Sequence, residues 1–108
     1  MWEVSLKKEA EKDFRQLDGS QKKIVVKMLE KLVENPLPKN RGGYGTPLGN
    51  DSTTGDLSGL LKLKARGSGI RIVYKLIEVE NRSEVIVIGM REKKEGYKTA
   101  AKRSTNLV

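Results

Sequence analysis

The chain has 108 residues, 36% hydrophobic and 33% charged, with 22 Lys and Arg against 14 Asp and Glu, a net charge of +8. That length suits a single domain over 1–108 with one modest core. Cysteine and histidine are both absent, which excludes a disulfide framework, a thiolate nucleophile, a cysteine-based zinc site and the Ser-His-Asp arrangement, and leaves proton transfer near neutral pH to Lys, Arg, Tyr, Asp or Glu.

Trp2 to Leu6 alternates apolar and polar residues and predicts a short strand. Lys7 to Leu17 follows as a helix, with Ala10, Phe14 and Leu17 at helical spacing. A turn at Asp18-Gly19-Ser20 leads into a second helix, with Ser20 as the expected cap. That helix runs to about Glu34 on an apolar stripe of Val25, Met28, Leu29, Leu32 and Val33, and Asn35-Pro36 ends it. Two helices so closely joined predict an antiparallel hairpin. Pro36 to Asp56 holds five glycines and three prolines. It predicts a connection without regular structure, pinned by Tyr44 and Leu48. Strands are expected over Leu57–Arg66, Ile70–Glu78 and Glu84–Arg91, joined by turns at Gly67-Ser68-Gly69 and Glu80-Asn81-Arg82-Ser83. Glu92 to Arg103 predicts a short helix, and Ser104 to Val108 a frayed end. The fold class is α+β, in the order β-α-α-β-β-β with a short C-terminal helix. A helix hairpin should cover one face of a small antiparallel sheet that the first strand joins.

Alternation in a strand puts residues i and i+2 on one face. Leu61, Leu63, Ile70, Ile72 and Leu76 then form the face that the helices cover. Lys62, Lys64, Arg66, Arg71 and Lys75 are displayed on the other. Arg91 ends the last strand on the side of Val85 and Val87, and Gly89 marks a candidate bulge.

The charge is lopsided. Residues 1–56 hold 10 basic and 9 acidic residues, whereas 57–108 hold 12 and 5, a net of +7. Such a one-sided basic surface suits nucleic acid, an acidic protein segment or an anionic membrane. No apolar run approaches the roughly 20 residues of a membrane span, and Met1 to Lys8 lacks a signal-peptide core, so a cytoplasmic protein with no membrane partner is expected. A Lys-x-Lys pair, one Arg or one Tyr would each be more often a solvated face or a packing residue. Their ordered combination with +7 points to a phosphodiester backbone, since Arg binds phosphate as a fork and Lys as a point charge.

Taken together, Gly59-Leu60-Leu61-Lys62-Leu63-Lys64, Gly69-Ile70-Arg71-Ile72-Val73-Tyr74, Val87-Ile88-Gly89-Met90-Arg91-Glu92 and Tyr97 resemble the RelE/ParE superfamily of toxins from type II toxin–antitoxin modules. The resemblance runs over nearly the whole chain, and the long Gly-rich segment departs from it. It implies a RelE-like ribosome-dependent mRNA endonuclease whose site residues fall on Lys62, Lys64, Arg71, Arg91 and Tyr97. All five positions hold the expected residue type, which favours the nuclease over the alternatives, a ParE-like gyrase inhibitor or a non-catalytic basic RNA-binding module. Arg66, Lys75, Lys93, Lys94 and Lys98 are expected to dock RNA. The implied partners are mRNA in the ribosomal A site, ribosomal RNA and a cognate antitoxin, with operator DNA reached only through the antitoxin. No metal and no cofactor are expected.

The chemistry suits those residues. RNA cleavage by its own 2′-hydroxyl needs that proton removed, a pentavalent phosphorane stabilised and the 5′-oxygen protonated. Clustered cations favour the developing negative charge. They also lower one another's pKa and that of a nearby tyrosine, so a base is available without histidine. Tyr97 or a neutral Lys64 is the candidate base. Arg71 and Lys62 would hold the phosphate, and Arg91 would stabilise the leaving side.

Overall fold

The chain opens with β1 (Glu3–Leu6), α1 (Lys8–Arg15) and α2 (Gly19–Glu34). They are seen in a computed structural model that describes residues 2–48 and 59–90. Arg91, Lys93, Lys94, Tyr97 and Lys98, and the helix expected over Glu92–Arg103, lie outside the described residues. So does the expected frayed end.

The start of α2 corrects one expectation. Asp18, not Ser20, is the cap. Its Oδ1 accepts from the Gln21 backbone N–H at 2.8 Å, and Gln21 Oε1 accepts from the Asp18 N–H at 3.0 Å. This reciprocal box satisfies two donors that a helix start otherwise orphans. Ser20 Oγ donates to the same Asp18 Oδ1 at 2.8 Å. A carboxylate accepts more strongly than a hydroxyl at the positive end of a helix. The Gln21 backbone N–H, followed by the Ser20 hydroxyl, holds the Asp18 carboxyl below its ordinary pKa.

β2 (Thr46–Pro47), β3 (Leu60–Lys64), β4 (Ile70–Ile77) and β5 (Arg82–Met90) complete a sheet ordered β1-β5-β4-β3-β2. β3, β4 and β5 form the expected antiparallel meander. β1 joins it, but runs parallel to β5, from Glu3↔Arg82 to Leu6↔Val85. The sheet is therefore mixed rather than all antiparallel. Parallel neighbours need a long crossover, and here everything from α1 to β4 lies between them. Pairing with β1 also starts β5 at Arg82, ahead of the expected Glu84. The preceding turn is a short 3-10 segment, Glu78–Glu80, closed by Asn81 at φ 53°.

Both helices lie on one sheet face, α1 against β5 and β1, and α2 against β1 and β4. Between the layers, Ala10, Val25, Met28 and Leu32 meet Leu61, Leu63, Ile70, Ile72 and Tyr74, as the alternation required, with Leu76 at the margin. The opposite face departs from expectation: it carries its own buried cluster of Leu60, Val73, Ile86 and Val87, with Leu48 packed against it. A register shift explains this. Val73 pairs with Val87 but Tyr74 with Val85, so Ile86 is the extra residue of a β-bulge. The bulge sits there and not at Gly89. It also places Val85 with the helices and Val87 on the far face, so the single side expected for both, and used to place Arg91, does not exist.

The segment after α2 is more ordered than its glycines suggest, at least through Leu48. It forms a 3-10 turn, Lys39–Arg41, and then β2, which pairs with β3. The buried Tyr74 hydroxyl donates to the Pro36 carbonyl at 2.7 Å. Gly45 is required beside it, because a Cβ there would run into that hydroxyl and into Leu61. Tyr44 Oη donates to Glu34 at 2.8 Å, and Leu48 N–H to the Leu60 carbonyl at 3.0 Å. Both expected pins are present. No helix among the described residues is long and apolar enough to cross a membrane.

Candidate nucleic-acid interface

Register sorts the cations of the far face into rows. Lys64 lies opposite Arg71, which lies opposite Gly89. One row on, Lys62 faces Val73 and then Val87, with Thr46 of β2 on its other side. The third row is Leu60, Lys75 and Glu84. Directly opposed residues have Cα atoms roughly 4.5–5.5 Å apart, so Lys64 and Arg71 form a close pair of like charges. Such a pair is unfavourable unless an anion or water screens it.

The β3–β4 hairpin fixes this pair. Ala65 N–H donates to the Ile70 carbonyl at 3.0 Å. Ser68 Oγ donates to the Ala65 carbonyl and accepts from the Ile70 N–H, both at 3.1 Å. Gly67 and Gly69 turn the chain at φ 81° and 77°, a region that side chains resist. The result is an open depression of about 460 Å³ lined by Lys64, Arg66, Ser68 and Arg71 among others. Lys64 and Arg66 are exposed and make no ion pair among the described residues.

The structure thus brings Lys62, Lys64 and Arg71 to one face, and Arg66 to the turn beside it, because β3 ends at Lys64, short of the expected Arg66. It does not bring Lys75 to the hairpin end. Four strand residues from Arg71 is about 13 Å, and Lys75 lies directly opposite Glu84. Gly89 is the feature that the sequence under-read. It sits on the β5 side of Arg71, where among the described residues a Cβ would meet only Val87 Cγ1, at 3.9 Å. Burial pushes the Tyr74 phenol well up from its ordinary pKa. As a neutral donor to Pro36, it is no candidate base. Among the described residues no group of three His, Cys, Asp or Glu side chains converges to hold a metal ion.

Chemically, the hairpin end can seat an anion between a lysine point charge and an arginine fork.

Comparison with known proteins supplies a context for this geometry. No protein-family model matches the chain. The mRNA interferase toxin RelE of Escherichia coli K12 is 30% identical over 92 residues, 85% of each chain. The free E. coli RelE toxin, solved with two arginines replaced by alanine, superposes with a TM-score of 0.72 at 26% identity, over 94% of this chain and 96% of that one. The E. coli RelBE toxin–antitoxin complex matches with a TM-score of 0.63 at 25% identity, over 86% of this chain and 100% of that one. Two helices on a five-stranded mixed sheet, with this likeness, define the class as a small α+β toxin. The chain belongs to the RelE family of toxins.

Proposed function

We propose that this chain is a toxin that cleaves mRNA in the ribosomal A site and is neutralised by a cognate antitoxin. One observation carries the reading: Lys64 stands directly across from Arg71 at the edge of an open depression, in a chain 30% identical to an mRNA interferase toxin. The whole chain, 1–108, acts as one toxin domain in the cytoplasm, where its substrate is.

In this reading Arg71 and Lys62 hold the scissile phosphate. Tyr97 or Lys64 takes the 2′-hydroxyl proton as the 2′-oxygen bonds to phosphorus. The bond from phosphorus to the 5′-oxygen breaks, the leaving oxygen is protonated, and Arg91 stabilises that side. The products are a cyclic phosphate and a 5′-hydroxyl, and no metal is required. The ribosome supplies the substrate geometry, a large part of any barrier reduction, and ribosomal RNA contributes the docking surface. Arg66, Lys75, Lys93, Lys94 and Lys98 add sequence-independent attraction.

A basic face that harms its host needs a mask. The E. coli relative is solved in complex with its antitoxin. A disordered, acidic or amphipathic antitoxin segment suits a +8 surface, and operator DNA would be reached only through that antitoxin.

Single-turnover cleavage on programmed ribosomes at saturating toxin tests the reading. Arg71→Ala, Arg91→Ala and Tyr97→Ala should each lower the rate by roughly 10²-fold or more, the scale of one lost transition-state contact. If Tyr97→Phe and Arg91→Ala both cleave at the parental rate, the cluster only docks RNA. If induction leaves mRNA intact and raises a DNA-damage response, gyrase inhibition replaces the proposal.

A further inference from the structure

Arg66 sits at the lip of the hairpin depression, and the site as drawn above gives it only a general docking role. Its surroundings are more specific than that. It is exposed and has no ion-pair partner among the described residues. It lines the same depression as Lys64 and Arg71. Its backbone is held in place, because Gly67 and Gly69 are left-handed and Ser68 Oγ ties Ala65 to Ile70. A preformed turn gives up little entropy when it meets a ligand.

The polar inventory indicates what that ligand is. The Ser68 hydroxyl already donates once and accepts once within the turn. Among the described residues the charged groups along the depression are Lys64, Arg66 and Arg71, all cations. Base edges need matched donors and acceptors, whereas phosphate needs only donors and positive charge. The hairpin therefore suits backbone contact and not base reading.

Placement then separates Arg66 from the reaction centre. The Lys64–Arg71 pair is a single row. Arg66 lies two residues past Lys64, beyond the end of β3 in the turn, where it lines the depression without belonging to that row. A group that lines the depression outside the row is placed to meet the phosphate adjoining the one held at the row.

We propose that the hairpin depression is a second phosphate subsite, in which Arg66 holds the phosphodiester adjoining the scissile one. This rests on the nuclease reading above. Arg66 then acts by docking the strand in register, whereas Arg71 acts at the reacting phosphorus.

The test uses programmed ribosomes whose mRNA carries one neutral methylphosphonate, placed at the phosphate on either side of the cleavage point. Rates are measured across toxin concentrations, giving a half-saturating concentration and a saturating rate. Arg66→Gln should raise the half-saturating concentration roughly tenfold, the scale of one lost charge-assisted contact, and Arg66→Lys should raise it less. A methylphosphonate at one flanking position should impose a similar penalty on the parent and almost none on Arg66→Gln. Arg71→Ala should instead lower the saturating rate. If the two penalties multiply, Arg66 contacts something other than that phosphate and the subsite is overturned. A parental half-saturating concentration in Arg66→Gln, or no methylphosphonate effect at either position, overturns it equally. If the parent protein does not cleave at all, the nuclease reading falls and takes the subsite with it.

Discussion

β4 runs between two charged ends that use the same residue types in opposite ways. At the β4–β5 turn every arginine has a carboxylate. Arg41 forks onto Glu78 with both Nη–Oε distances at 2.9 Å, and Arg82 meets Glu80 at 2.7 Å and Ser5 Oγ at 2.9 Å. At the hairpin end Lys64 and Arg66 have no carboxylate partner among the described residues. Yet the sequence is rich in cations at both ends. Cation number therefore does not locate the site. What distinguishes the hairpin end is that Lys64 and Arg66 stand exposed there with no acid among the described residues placed to cancel them. An anion arriving there is attracted by Lys64 and Arg66, and at the other end it would have to displace a glutamate.

The sharpest way to break that contrast is to place acids at two adjacent hairpin-end positions. Leu63 is buried among the helix-facing residues, and Lys64 is exposed on the other face. Leu63→Asp should abolish cooperative thermal melting, because an unpaired buried carboxylate costs several kcal/mol. Normal melting of that variant would show the faces to be assigned the wrong way round. Lys64→Glu should leave melting intact, since a cross-strand opposite-charge pair with Arg71 is worth about 0.2–1 kcal/mol. It should still lower ribosome-dependent cleavage by roughly 10²-fold or more, by giving the hairpin end the pairing that the other end already has.

Those two neighbours also show what was legible in the sequence. Period-two alternation separates Leu61 and Leu63 from Lys62 and Lys64 without a structure, and it assigned the helix-facing side of β4 correctly. It failed on β5. There Val85, Ile86, Val87 and Ile88 are all apolar, so no change in polarity marks where Ile86 slips the register. The second cluster around Val73 and Leu60 is hidden for a related reason: alternation puts Val73 on the face of Arg71 and Lys75, and five cations mask that the apolar residues among them meet. The parallel pairing of β1 depends on the path of the whole chain, which local pattern does not encode. Tyr74 explains the ordered segment after α2. Its hydroxyl reaches back to Pro36, 38 residues earlier, and glycine composition alone suggested a loose loop. Alternation alone also placed Lys62, Lys64 and Arg71 together on the far face, whereas Arg66 falls in the turn beyond β3. Gly89 suggests a bulge by residue type alone, but it pairs in register with Arg71.

That pairing gives the next prediction. Gly89 has no backbone requirement for glycine of the kind seen at Gly67, since its φ is not in the left-handed region, and among the described residues a Cβ there meets nothing closer than 3.9 Å. Gly89→Leu should therefore fold, while its side chain fills the space next to Arg71. Cleavage should fall roughly tenfold through misplacement of the phosphate, as a shift of order 1 Å at a reacting group is costly. Gly89→Ala should lose much less. Equal activity in all three proteins would mean that the substrate does not approach Arg71 from the β5 side.

The smallest effect belongs to the paired end, and its sign follows from the pKa directions. The Arg41 hydrogen bond, with its charge, holds the Glu78 carboxyl below its ordinary value of 4.5, and Glu78 raises Arg41 in turn. A carboxylate whose pKa is lower folded than unfolded stabilises the fold above its unfolded pKa. That contribution is complete at neutral pH and fades as pH falls below about 4.5 through the folded value. Both side chains are half exposed, so solvent screens the pair and the shift in Tm stays small. Glu78→Gln should therefore melt slightly below the parent at pH 7 in low salt. The difference should shrink in high salt and fade as pH falls through the folded value, where the parent carboxyl also takes its proton. Cleavage at pH 7 should be unchanged, because the pair lies at the far end of β4 from Arg71. A large loss of cleavage in Glu78→Gln, with Tm held, would show that the two ends of the strand are not independent.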